Sequence, residues 1–305
     1  MPETFDVTVP DTWISRSKHL GLSFWLPVVW LSFVVLMALS ANIFELPDYG
    51  HIDWNHPAAP PGTAGTVILN DQNGESIPSD YIYWLGTDPL GRDIFTRLIF
   101  GARASLLVGL IAPMIALVTG GTLGLLAGFY RGRFEAVVVA LMDIILAFPG
   151  LVLLLALAFY FGPGLDKLIL ALAILIIPAF CRVARANTLT WVQRDFILAA
   201  RAVGASDLRI LCCHLFPNVI IPVAAYGLLI VAVMIIAEGA MSFLGLGVPA
   251  PTPSWGGMIA EGKEFLDEAP HISLIPAIAM FLTVLSFNLL GDRLRELTDV
   301  KNLKR

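Results

Sequence analysis

The sequence predicts an all-α integral membrane protein with six transmembrane helices. Three observations carry this. The chain is 57% hydrophobic and only 14% charged, whereas soluble domains carry about 25% charge. It contains successive apolar runs of about 20 residues, the length a helix needs to cross the hydrocarbon core. Its Lys and Arg residues also fall in alternate connecting segments, as the positive-inside rule requires.

Residues 1–19 are polar and of mixed charge and are assigned to a cytoplasmic amino-terminal segment. Residues 20–41 form the first span, about 33 Å long at 1.5 Å per residue. A cleaved signal peptide is the rival reading. The run exceeds a typical signal core, and Glu3, Asp6 and Asp11 precede it, which favours a retained span.

Residues 42–103 form an extramembrane loop. Its first part, to 87, is rich in Pro, Gly and acids, and no Lys or Arg occurs between Lys18 and Arg92. Little regular structure is expected there. Asp88, Arg92 and Asp93 are expected to fix a short interfacial helix by local pairing, with contact to a binding protein as the alternative.

The remaining five spans lie in a core of residues 104–292. The second, 105–130, is rich in small residues that let helices approach closely: Gly109, Gly120, Gly121, Gly124 and Gly128. The third, 136–161, carries Pro149-Gly150 in its middle. The fourth covers 165–180 and is open to extension as far as 186. The fifth runs from 218 to 243, and the sixth from 272 to 290. Residues 293–305 form a charged tail.

With both termini cytoplasmic, Arg131, Arg133, Arg182, Arg185, Arg194, Arg201, Arg209, Arg293 and Arg295 fall inside, with the basic residues of both termini. Arg92, Arg97, Arg103, Lys167 and Lys263 fall outside. The acidic loop is then extracytoplasmic.

The connector 190–216 is amphipathic and basic. Within it, DFILAARAVGASDLRILCCHLFP (195–217) reads as helix, turn, helix. Gly204 can take a positive φ and close the first helix. Ser206 can cap the second, and Asp207 suits its positive end. Pro217 marks entry to the fifth span. Such a hairpin suits a docking element, and Ala199-Ala200 permits a close partner. Composition alone favours a plain amphipathic loop on the bilayer surface.

These residues carry a resemblance. Ala199, Ala200, Gly204 and the ending His214-Leu215-Phe216-Pro217 resemble the coupling loop of ABC importer permeases. The wording AARAVGAS is most similar to the dipeptide/oligopeptide/nickel permease family, and within it to the C-type subunit. LGTDPLGRDIFTRLIFGARASLLVG (85–109), MDIILAFPGL (142–151), SFLGLGVPAPTPSWGGMI (242–259) and NLLGDRLRE (288–296) resemble segments of the same subunits in the same order. The family motif's Glu is Leu198 here.

The resemblance implies a type I importer fold in a prokaryotic cytoplasmic membrane. It implies a B-type permease partner, ATP-binding subunits or a fused two-domain ATPase, and an extracytoplasmic solute-binding protein. It further implies that Ala199, Ala200, Arg201, Gly204, Ala205, Ser206, Asp207, Arg209, His214 and Pro217 meet the ATPase. The implied cargo is a di- or oligopeptide, with nickel or another small solute as the alternative.

Other classes fare less well. No GxxxxGK[ST] loop is present, so an ATPase must be a separate chain, and no cofactor is implied. A secondary transporter would need midplane ion sites, and a membrane enzyme convergent reactive groups. Two carboxylates, Asp143 and Glu238, fall in or near spans. Asp143 is expected to pair with Arg131 or Arg185. Glu238 is assigned either to the translocation path or to a helix–helix hydrogen bond. Gly291-Asp292 stands alone at a membrane edge, unlike a proteolytic aspartate pair. Cys181, Cys212 and Cys213 are expected to be reduced packing residues. The net charge of −5 gives no support for nucleic-acid binding.

Overall fold

The computed structural model describes residues 21–44, 46–70 and 76–298. The predicted 1–19 segment and the end of the tail lie outside the described residues. Ten helices with at least three residues of α-form are ordered along the described chain, with one β-hairpin between the first and second.

Helix α1, Leu22–Ser40, is apolar on all sides. It packs on the last helix, α10 (His271–Thr298). The indole Nε1 of Trp30 donates to Thr283 Oγ1 there, at 3.0 Å. The acidic loop then departs from expectation. Strand β1, Thr63–Asn70, pairs antiparallel with β2, Ser76–Tyr83, in the register Thr63 opposite Tyr83. Its Val, Ile, Thr and Tyr residues supply the β-preferring side chains, which the Pro and Gly density of the surrounding loop obscures. The described residues are therefore mostly helical, with one small sheet.

Helix α2, Ile94–Tyr130, begins before the expected residue 105. Asp93 caps it, accepting from Thr96 N at 2.9 Å. Thus Asp93 starts a long helix and no separate interfacial helix forms. Thirty-seven residues span about 55 Å, longer than a bilayer core.

The predicted third span is two helices: α3, Gly132–Leu146, and α4, Gly150–Phe161, bent by 88°. Pro149 is the physical reason. It supplies no N–H to α3 and disfavours helical backbone at Phe148. Helix α5, Leu165–Val192, continues past the predicted end. After the connector comes α8, Phe216–Phe243. Helix α9, Trp255–Gly262, is a short element in the Pro- and Gly-rich loop before α10.

Among the described residues, four helical segments are long and apolar enough to cross a membrane, or five if the bent pair is one span. Helix α1 is apolar but shorter.

Helix α2 is central, packing along α5 and α8. Its glycines at four-residue spacing face α5. A Cβ on Gly120 would lie 2.4 Å from Ile177 O, and one on Gly124 would lie 2.2 Å from Cys181 O. Backbone meets backbone there, which any side chain would prevent. The main apolar core lies among α2, α4, α5 and α8, and includes Ala112, Leu154, Leu172, Phe180 and Val223.

Asp143 pairs with Arg182 at 2.7 Å, and not with Arg131 or Arg185. Arg185 is taken by Glu135. The packing of α3 on α5 sets these partners, a register that no local pattern specifies. Cys181 is buried, as expected of a packing residue, whereas Cys212 and Cys213 are exposed.

The candidate coupling hairpin and the sealed carboxylate

The connector between α5 and α8 folds as a hairpin. Helix α6, Asp195–Ala202, ends at Gly204, whose φ is +85°. Ala205 N–H donates to Ala200 C=O at 3.0 Å and Gly204 N–H to Arg201 C=O at 2.9 Å. This crossed pair is a Schellman closure, which needs the left-handed residue that glycine provides cheaply. One turn of helix, α7 (Asp207–Arg209), follows. Ser206 precedes it in extended conformation but makes no side-chain capping bond. A π-helical turn, Ile210–Leu215, then leads into α8, with Pro217 in the first turn of that helix.

Three side chains anchor the hairpin. Ile197, Ile210 and Leu215 are fully buried in the main core. The opposite face is open. Leu198 is 54% exposed, Leu208 72% and Val203 89%. Ala199, Arg201, Gly204, Ser206, Asp207, Arg209 and Pro217 are also exposed, while Ala200, Ala205 and His214 are half-buried. The Arg201 guanidinium stands over the Phe129 ring at 5.5 Å, which ties α6 to the end of α2. A rigid, anchored element thus displays apolar side chains among charges, as a docking surface does. The sequence identified the turn residues; it did not identify Val203 and Leu208 as the most exposed apolar groups of the hairpin.

Glu238, on α8, is enclosed by the packed helices. It is 0% exposed. Oε1 accepts from Ser254 at 2.7 Å and Ser242 at 2.9 Å, and Oε2 accepts from Ser105 at 3.4 Å. Ser105 Oγ in turn accepts from Trp255 N at 3.1 Å. Of the two roles read from sequence, the structure matches the helix–helix hydrogen bond. The serines come from α2, α8 and the α9 cap, so no local motif announces them.

A second polar cluster lies nearer the start of α2. Arg92 and Arg97 donate to Glu261 Oε2 at 2.6 and 2.8 Å. Arg92 also donates to Asp88 Oδ2 at 2.5 Å. The expected Asp88–Arg92 pairing is therefore present, and it extends to α9, which the sequence reading missed. Both arginines are buried. Glu261 faces a cavity of about 780 Å³ between the α4–α5 turn and the 242–263 segment. Arg97 is near the start of α2 and Phe129 near its end, so cavity and hairpin sit at opposite ends of that helix.

The comparisons with known proteins fit this geometry. Residues 120–302 match the family model described as binding-protein-dependent transport system inner membrane component. The glutathione transport system permease protein GsiD of Pectobacterium atrosepticum is 42% identical over 219 residues, covering 72% of this chain and 73% of that protein. GsiD of Escherichia coli O6:K15:H31 is 38% identical over 286 residues, covering 94% and 88%. Among solved structures, inward-facing MetNI methionine ABC transporter chains align with TM-scores of 0.55 and 0.56, at 17% and 18% identity. They cover 66% and 67% of this chain. That similarity speaks to fold alone. The match over more than half the chain, the near full-length relatives and the shared fold agree. The chain belongs to the binding-protein-dependent transport system inner membrane components, in the C-type branch with the glutathione permeases, and is a multi-pass, non-enzymatic permease subunit of an ABC importer.

Proposed function

We propose that this subunit imports small peptides across a prokaryotic cytoplasmic membrane, coupled to a separate ATPase through the 195–217 hairpin. The observation that carries the reading is the hairpin itself. It is closed by a Schellman turn, fixed by three buried side chains, and exposed along Leu198, Val203 and Leu208. A lever must resist melting if it is to transmit force. The anchors and the turn provide that resistance.

The partners are a B-type permease subunit, ATP-binding subunits or a fused two-domain ATPase, and an extracytoplasmic solute-binding protein. Membrane lipid surrounds the assembly. The path runs between the two permeases through six spans, with both termini cytoplasmic. The Lys and Arg distribution supports that orientation. Nucleotide must stabilise one state of the helix bundle more than the other, or the hairpin moves nothing.

The name of the relatives, glutathione transport system permease, supports a peptide-like cargo such as glutathione. A nickel or other small-solute importer is the second reading, and the family resemblance alone supports it. The test is disulfide or photo-crosslinking from Ala200 in membranes holding the complete transporter, together with uptake of labelled glutathione and dipeptides. Crosslinks to the ATPase, and uptake abolished by an ATPase unable to hydrolyse ATP, are expected. Lipid-only adducts, or uptake driven by an ion gradient alone, would overturn the proposal.

A further inference from the structure

The cavity at the far end of α2 has a polar wall that the coupling hairpin does not explain. Most of its lining is apolar or backbone, from Phe159 and Gly162 on one side to Leu246 and Val248 on the other. Two charged side chains break that lining, Glu261 and Lys263, two residues apart where α9 passes into a 3₁₀ turn.

Their settings differ. Glu261 directs Oε2 to two buried guanidinium groups, which fixes the carboxylate in place and leaves Oε1 to accept another donor. Lys263 is exposed. No acid among the described residues forms an ion pair with it, and its ammonium stands 5.9 Å from the Phe243 ring centroid. Phe243 also lines the cavity. Arg92 and Arg97 are engaged with Asp88 and Glu261 behind the wall, whereas Lys263 has no carboxylate partner among the described residues. A cavity of about 780 Å³ falls in the range of roughly 300–1,000 Å³ typical of small-molecule sites.

We propose that this cavity is a substrate subsite at the end of the subunit opposite the ATPase, selective for small zwitterionic peptides. Lys263 takes the peptide carboxylate and Glu261 Oε1 takes the amine. The apolar wall accepts compact side chains. The inference rests on the peptide-import reading and names the residues that would read the cargo's two ends. The Arg92–Arg97 clamp is a positioning device: it holds the Glu261 carboxylate at the cavity that Lys263 also lines.

The experiment is ATP-driven uptake into proteoliposomes holding the complete transporter, using one labelled dipeptide with free termini and its carboxy-amidated form. Wild type, Lys263→Met and Lys263→Arg are compared. For the free dipeptide, Lys263→Met is expected to raise KM about tenfold with little change in kcat, the cost of one charge-assisted contact. Lys263→Arg should recover most of that loss. The amidated dipeptide should be carried with the same KM by wild type and Lys263→Met.

An unchanged KM for the free dipeptide in Lys263→Met would overturn the subsite while leaving peptide import standing. So would a variant that fails to co-purify with its partner permease, since the cavity would then be a subunit contact. A wild-type transporter that carries no dipeptide, but carries nickel, would overturn both readings.

Discussion

Gly124 lies so close to Cys181 that a Cβ on the glycine would sit 2.2 Å from the cysteine's carbonyl oxygen. The neighbouring Gly121, three residues earlier on the same helix, has nothing within 4 Å of its Cβ direction. One helix thus carries two glycines with opposite structural demands. Gly124→Ala should force α2 from α5 and lower stability by about 1–3 kcal/mol, the usual cost of overpacking. Gly121→Ala should be neutral or stabilising by about 0.5–1 kcal/mol through helix propensity. Thermal unfolding of the purified subunit in detergent distinguishes them, and equal midpoints would refute the close-approach account.

Glu238 supports structure from within the bundle. Glu238→Ala leaves Ser242 and Ser254 without their acceptor and should destabilise by about 1–3 kcal/mol. Glu238→Gln keeps the shape and an acceptor oxygen, so its loss should be smaller. Uptake per assembled transporter should stay near wild type in both. A Glu238→Gln variant that assembles normally yet transports poorly would return this carboxylate to the path.

The hairpin turn should fail in a specific way. Gly204→Val puts a β-branched residue at φ +85°, at a cost of about 1–2 kcal/mol, borne locally by the Schellman closure. Val203→Asp changes only the exposed face. Both should lower ATP-driven uptake. Only Gly204→Val should increase proteolysis between 195 and 210. Wild-type transport by both would mean that the ATPase docks elsewhere.

The β-hairpin carries a pH signature. Burial of Asp53 raises its pKa, but hydrogen bonds from His56, from Asn55 N–H and from Tyr83 outweigh that, and the net value falls below the usual 3.8. The stability it lends is complete above about pH 4 and is lost as pH falls through the lowered folded value. Burial, then donation to Asp53, raises the Tyr83 phenol above its usual 10.0. Its contribution is complete below pH 10 and is lost as pH rises through the raised value. Asp93 is raised by burial and runs opposite to Asp53, so differences between variants are the informative quantity. Asp53→Asn should flatten the acid limb of a proteolysis profile for residues 60–83. Tyr83→Phe should reduce the alkaline limb, with Tyr81 supplying the remainder. Identical limbs in all three proteins would show that the Asp53–Tyr83 bond does not hold the hairpin.

Local pattern made much of the protein legible. Apolar runs marked the helices, because burial in lipid demands about 20 apolar residues wherever the chain crosses. Gly204 announced its turn, because few other residues accept that backbone. The sequence places Pro149 in the middle of one continuous third span, and only the structure shows the 88° break there. The β-hairpin was missed because short strands in a Pro- and Gly-rich loop leave little periodicity to read. Asp143 was assigned to the wrong arginine because one helical turn of register, invisible locally, separates Arg182 from Arg185.

The sequence by itself determined the solvent, most of the long apolar helices, the Gly204 turn and the family resemblance, since each rests on residues that are neighbours in the chain. Tertiary structure alone decided the long-range polar contacts. Glu238 meets Ser105 across 133 positions, and Arg97 meets Glu261 across 164. Hydrogen bonds and ion pairs act over a few ångströms, and only the packing of α2 against α8 and α9 brings such distant residues that close.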